Sequence, residues 1–285
     1  ASSFDETRSS RTLLEDAEKS IFTLSDHNES TQIYEMKDVV SSTIELIDRR
    51  YKNNSELTGV PSGIARLDTM TSGFQKSEFI VIGARPSIGK TAFALSMMQT
   101  IAVEKHIPCG FFSLEMSYQS IGQRLLAQVS RLPSYKLRSG QLSMADFQKL
   151  QDAAGMCYNA PLYIVDTPNM QLIDLRAMAR RMKVNQGVQV IFIDYIGLIT
   201  TENPAAPVYE TVSEISKSLK SLARELDIPI VALSQVARDA EGQEPNLAQL
   251  RGSGSIEQDA DLVCFLYREA YYNKEIEEGD PRQNE

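Results

Sequence analysis

Six short, almost continuously apolar runs recur between residues 58 and 268, at 79–83, 109–114, 162–165, 188–193, 228–233 and 262–267. They are rich in Val, Ile and Phe, and longer amphipathic stretches separate them. A strand that is apolar at every position must be covered on both faces. That requirement selects a parallel sheet sandwiched between helices. The spacing therefore predicts an α/β fold, a doubly wound, mostly parallel sheet. The punctuation between the runs agrees. Ser143 and Asp146 stand at capping-box spacing, and Gly187 falls where a helix ending near Asn185 needs a left-handed residue. In such sheets ligands sit beyond the carboxyl ends of the strands.

Residues 1–57 have a different texture and contain no Gly or Pro. Two helical stripes are readable there, one through Leu13, Leu14, Ala17, Ile21 and Leu24, the other through Met36, Val39, Val40, Thr43, Ile44, Ile47 and Tyr51. The polar stretch 25–30 separates them. Each narrow stripe needs a surface, either its own chain's main domain or a neighbouring subunit, and a stripe does not name its partner. A length of 285 residues fits one large domain with an appendage.

Composition excludes several classes. With 42% hydrophobic residues the chain is not disordered throughout. It has no apolar run of about 18 residues, so no membrane helix and no membrane partner are expected, and residues 1–11 do not read as a secretion signal. Three widely spaced cysteines and two histidines argue against a zinc site or a disulfide framework and fit a reducing cytoplasm. The net charge of −9 argues against a protein that coats nucleic acid. The acidic excess, however, lies in residues 1–57 and 269–285, and residues 58–268 are balanced. A local contact with a nucleic-acid strand is therefore not opposed.

Chemistry concentrates after the apolar runs. The first is followed by Gly83-Ala84-Arg85-Pro86-Ser87-Ile88-Gly89-Lys90-Thr91, a phosphate-loop pattern with Ala84 in place of its first glycine. Gly89 lets backbone N–H groups close around phosphate oxygens, Lys90 reaches the β- and γ-phosphates, and Thr91 offers a hydroxyl to Mg²⁺. The helix that follows, opening through Ala92, directs its positive end at the anion. The run 190–193 ends in Asp194, a second candidate magnesium ligand. Glu115 follows the second run and is placed either to polarise an attacking water or simply to favour a helix N-terminus. Gln235 at the tip of the fifth run is either a sensor of the γ-phosphate or a satisfied polar loop residue. The stretch LRGSGSIEQDAD (250–261) reads either as a loop whose amides and Arg251 approach a phosphate or as a linker.

These segments together resemble the DnaB-type replicative hexameric DNA helicases of the RecA-like ATPase superfamily. The resemblance rests on GVPSGIARLDTMTSGF (59–74), ARPSIGKTAFAL (84–95), FFSLEMS (111–117), IFIDYIGLI (191–199), EISKSLKSLARELDIPIVALSQ (214–235) and LRGSGSIEQDAD (250–261). It implies a RecA-like motor at 58–285 preceded by a helical linker region at 1–57, whose helix at about 13–24 docks on the adjacent subunit. It implies ATP and Mg²⁺ as cofactors, with residues 84–92 and Arg124 holding nucleotide and Thr91 and Asp194 holding the metal. Lys90, Glu115 and Gln235 carry catalysis, and Arg251, Gly252 and Gly254 grip single-stranded DNA. The expected partners are five further copies in a homohexamer, together with primase, a helicase loader and other replisome proteins. The expected location is the cytoplasm of a bacterium, or of a bacterium infected by a phage.

Two departures stand out. Gly252 occupies the place of the family's usual glutamate, and the Lys-x-Arg strand whose arginine reaches a neighbour's ATP does not occur before Glu285. The expectation is one motor domain and its linker cut from a longer chain, binding ATP but hydrolysing it poorly, since an arginine finger is worth about 10³–10⁵ in rate. The rival readings are a recombinase-type filament or clock-type hexamer, and an ATP-gated scaffold that recruits primase or a loader.

Overall fold

The computed structural model describes residues 34–52, 57–203, 205–237, 244–250 and 253–272, in two compact units that divide between Glu56 and Leu57. In the first unit the described helix is α1 (Met36–Lys52). Its apolar residues Val39, Val40, Ile44, Ile47 and Tyr51 follow the expected stripe and are exposed. Lys52 pairs with Asp48 one turn earlier at 2.6 Å. The helix expected at 13–24 lies outside the described residues.

The second unit runs α2 (Ala65–Thr71), β1 (Phe79–Ala84), α3 (Lys90–Met98), β2 (Cys109–Ser113), α4 (Tyr118–Ser130), α5 (Ser134–Ser139), α6 (Met144–Tyr158), β3 (Leu162–Val165), α7 (Leu172–Arg181), β4 (Val190–Asp194), α8 (Val208–Leu226), β5 (Ile230–Gln235), α9 (Ser253–Asp259), β6 (Leu262–Leu266) and α10 (Glu269–Tyr272). The six strands form one sheet in the order β3-β2-β4-β5-β1-β6. Every ladder in it is parallel. β4 and β5 begin two residues later than their apolar runs. Val188 and Ile228 are still closing the preceding helical segments, their N–H groups bonded to the carbonyls of Met182 and Ala223.

Two-sided burial is visible residue by residue. Phe79 and Val81 of β1 face the layer that contains Leu175 of α7 and Leu219 of α8. Ile80 and Ile82 face the layer that contains Leu95 and Met98 of α3 and Ile121 of α4. α8 buries Val212, Ile215, Leu219, Leu222, Ala223 and Leu226, a single stripe at three-to-four spacing. Asp261 secures the entry to β6. Its carboxylate accepts the Phe79 N–H at 2.7 Å and the Lys220 ammonium at 2.6 Å.

The 59–74 segment closes on itself. Val60 and Phe74 exchange backbone hydrogen bonds of 2.8 Å, and the Asp68 carboxylate accepts the Ser62 and Gly63 N–H groups. Among the described residues no helix is long and apolar enough to cross a membrane.

The punctuation is also present. Gly187 adopts φ 63 after the helical segment it ends. Ser143 caps α6 in a full capping box with Asp146. The Lys136 ammonium, 2.8 Å from Asp146, together with the Ser143 N–H and hydroxyl, holds the Asp146 carboxyl at about 2. A depressed carboxyl contributes stability above its unfolded value and loses it as pH falls through the folded one. Asp146→Asn is therefore expected to lower Tm at neutral pH. The gap to the unmodified protein should close between about pH 5 and about pH 2, as measured by thermal denaturation across that range.

Candidate nucleotide-binding site

Parallel pairing aligns four strand ends. Ala84 of β1 is in register with Gln235 of β5, and Ser113 of β2 with Asp194 of β4. Because β2, β4, β5 and β1 are neighbours in that order, Glu115, Asp194, Gln235 and the loop after Ala84 line one edge of the sheet.

The loop Arg85–Gly89 turns the chain from β1 into α3. Ser87 and Gly89 take left-handed φ values of 68 and 114, and Gly89 is the N-cap of α3. The helix start therefore opens with N–H groups that have no intrahelical acceptor, at its positive end. Arg85 extends sideways, donating from Nη1 to the Val236 carbonyl at 3.1 Å, while the Val236 N–H donates to the Ala84 carbonyl at 3.0 Å. Val236 also forms an antiparallel bridge with Leu250. The segment after β5 is thus anchored at its root beside the loop.

At the helix start, the Thr91 hydroxyl donates to Asp194 Oδ2 at 2.6 Å. The Lys90 ammonium lies 3.4 Å from Asp194 Oδ1, beyond the roughly 2.7–2.9 Å of a charge-assisted hydrogen bond. It also lies 4.1 Å from the centroid of the Tyr195 ring. Asp194 is 1% exposed, and its Oδ1 has no hydrogen-bond partner among the described residues. Burial pushes the Lys90 pKa down from its ordinary value, and the Asp194 carboxylate, through its charge and its polar contact with the ammonium, pulls it back up, with a smaller part from Glu115. A buried lysine, a hydroxyl and an unsatisfied carboxylate oxygen at one point fit a divalent cation and a polyphosphate. Oxygen donors of this kind bind Mg²⁺ alongside phosphate and water, and a buried charge requires a partner.

The expected site residues fare differently. Lys90, Thr91 and Asp194 come together, and Ala84, Arg85, Pro86, Ser87, Ile88, Gly89 and Ala92 form the loop and first turn around them. Glu115 is exposed just past β2, and Gln235 is half-buried at the tip of β5. Arg124 is an exposed residue of α4, one turn before Gln128, whose side-chain amide donates to the Ala92 carbonyl at 3.0 Å. Arg251 and Gly252 lie outside the described residues. Gly254, expected in a loop, instead lies in the first turn of the short helix α9. Ser253–Asp259 closes helically because Ile256 is fully buried there and its carbonyl accepts the Ala260 N–H.

Two contacts carried no advance signal in spacing. One is that of the Tyr195 ring with Lys90, made only through the turn after β4. The other joins Arg85, itself an expected residue of the loop, to a backbone carbonyl 151 positions away.

A doubly wound parallel sheet with a phosphate loop after β1 and a buried acid at the end of β4 defines a RecA-like P-loop nucleotide-binding domain. Residues 59–285 match the DnaB-like helicase C terminal domain family, and the chain belongs to that family. It is 53% identical over 269 residues to the replicative DNA helicase DnaB of Treponema pallidum (strain Nichols), covering 94% of this chain and 61% of that protein. To the replicative DNA helicase DnaB of Geobacillus stearothermophilus it is 44% identical over 273 residues, covering 93% and 59%. Among solved structures, an isolated ATPase domain superposes with a TM-score of 0.80 at 34% identity, over 87% of this chain and 88% of that one. A DnaB-like replicative helicase, solved to describe its interactions with primase, superposes with a TM-score of 0.77 at 33% identity, over 87% and 60%. The chain spans about 60% of the length of the curated relatives it matches.

Gly89 offers a direct test of the loop. A methyl added there meets nothing within 4 Å, so space does not oppose Gly89→Ala, but φ 114 does, at about 1–3 kcal/mol. Relieving that strain turns the loop's N–H groups, and nucleotide Kd should rise about tenfold or more. Gly155→Ala, equally open but in the interior of α6, should leave Kd unchanged. Titration with a fluorescent nucleotide reads both.

Proposed function

We propose that this chain is the motor portion of a replicative DNA helicase, which uses ATP to move along single-stranded DNA and separate the duplex. The observation that carries the reading is the convergence of Lys90, Thr91 and Asp194 at the carboxyl edge of the sheet. Family membership turns a generic nucleotide site into a helicase motor. The proposed assembly is a homohexameric ring. Primase, a helicase loader and other replisome proteins are the proposed partners, the first supported by the primase context of one structural relative.

In this reading, the N–H groups of the Arg85–Gly89 loop and the start of α3 bind the phosphates, with Lys90 neutralising the β- and γ-oxygens. Thr91 and Asp194 would hold Mg²⁺, which supplies further positive charge against the phosphate oxygens when bound. Glu115 accepts a proton from the attacking water. Gln235, at the tip of the strand whose continuation is rooted at Val236, carries the presence of γ-phosphate toward Arg251, Gly252 and Gly254. These three would hold a short stretch of the single strand by its backbone. Arg124 contacts nucleotide from α4. Positioning and charge account for most of the catalysis, and a neighbour's arginine would complete it in the ring.

Glu115→Gln in the full-length protein tests the chemistry. It removes the base while preserving shape, so ATP should still bind within a few-fold of normal affinity. DNA-stimulated hydrolysis and unwinding should fall about 10²–10⁴-fold. Unaltered unwinding removes Glu115 from its role, and a protein that never unwinds but still recruits primase is a scaffold and not a motor.

Arg251→Ala tests the DNA contact. Affinity for single strands should drop about equally across sequences, and the slope of log affinity against log salt should shrink by about 1. Loss confined to one sequence would mean that Arg251 reads bases.

A further inference from the structure

Charge alone does not account for where the Lys90 ammonium sits. A buried ammonium beside a buried carboxylate oxygen that has no hydrogen-bond partner should close to hydrogen-bonding distance. Thr91 occupies only the other oxygen, Oδ2. Yet the ammonium stops 3.4 Å from Oδ1, over the face of Tyr195 at 4.1 Å from the ring centroid. The face of an aromatic ring is the negative end of its quadrupole and attracts a cation, most strongly when water is excluded. The Lys90 side chain is 10% exposed.

The ring's own placement follows from the chain around it. Tyr195 directly follows Asp194, so ring and carboxylate share one root. The backbone is extended at Tyr195 and then closes a short turn over Ile196–Leu198, with the Leu198 N–H donating to the Tyr195 carbonyl at 3.1 Å. That turn brings Gly197 flat against the ring. A Cβ at this position would lie 2.8 Å from Tyr195 Cε2 and 3.3 Å from Cδ2. The glycine therefore leaves the notch in which the ring sits.

We propose that Tyr195 is a positioning residue for Lys90, its ring holding the ammonium off Asp194 so that Oδ1 stays open to a divalent cation and the lysine stays free to meet phosphate. Without the ring, Lys90 closes on Oδ1, and the pair has to be broken each time a magnesium nucleotide binds. This rests on the reading of the site as one for a magnesium nucleotide. The plainer alternative is that Tyr195 merely fills space, since it also packs against the core layer around α3.

The test replaces Tyr195 in the full-length protein with Phe, with phenylalanines carrying one, two and three ring fluorines, and with Leu. The fluorinated rings keep their volume while the attraction for a cation weakens stepwise. The readout is the Mg²⁺ concentration giving half-maximal binding of a fluorescent ADP analogue. Phe should stay within about twofold of the unmodified protein. Successive fluorines should raise the midpoint in order, and Leu should raise it about 3- to 30-fold, the range a partly to fully desolvated cation–π contact spans. Gly197→Ala, which displaces the ring without removing it, should shift the midpoint in the same direction.

A second measurement removes Mg²⁺ from the question. In excess chelator, Tyr195→Leu should weaken nucleotide binding in the natural background and have little effect when Asp194 is already Asn, because no carboxylate remains for Lys90 to close on. A flat fluorine series, or equal losses in both Asp194 backgrounds, makes Tyr195 a space-filling residue and overturns the proposal. An unmodified protein that binds the analogue without any dependence on Mg²⁺ overturns the reading of the site itself, and this proposal with it.

Discussion

A parallel sheet buried on both faces has no room for polar side chains along its strands, and everything else in this unit follows from that restriction. β1, β2 and β4 are buried from end to end, and α3, α7 and α8 take up the two faces. Polar groups are admitted only where strands stop. The carboxyl edge therefore collects Glu115, Asp194, Gln235 and the loop of Lys90, and their chemistry is interdependent because they share so little space. Asp194 tolerates 1% exposure only because Thr91 and Lys90 answer its charge, and Lys90 is tolerated for the same reason.

The same edge connects the phosphate loop to the rest of the unit. Arg85 and Ala84 both bond Val236, and Val236 is bridged to Leu250. The two roots of the segment between β5 and α9 are thereby tied to the phosphate loop. A shift of that loop on nucleotide binding has a short, hydrogen-bonded route to the segment proposed to meet DNA. Net charge plays little part in this arrangement, since the acidic excess of the chain lies outside residues 58–268.

The sheet, its strand positions to within about two residues, the capping box at Ser143 and the left-handed stop at Gly187 were legible because each depends on residues close in sequence. Lys90, Thr91 and Asp194 were legible for a related reason. A phosphate loop and an acid at a strand tip are local patterns whose meeting is guaranteed once the sheet is parallel. Residues 253–259 were less legible. The glycines and serines of the 250–261 stretch suggest a loop, but the burial of Ile256 supplies a reason to wind Ser253–Asp259 into a helix. Local propensity was weaker than a tertiary contact.

The sequence by itself determined the class of fold, the phosphate loop and the family, since these are carried by periodicity and by contiguous motifs. Only the tertiary structure decided that Lys90 is shared between a carboxylate and the face of Tyr195, that Gly197 makes room for that ring, and that Arg85 reaches Val236. Each of these depends on the distance and direction between groups on different strands and turns. Sequence spacing does not specify those quantities until the packing of the whole sheet has set them.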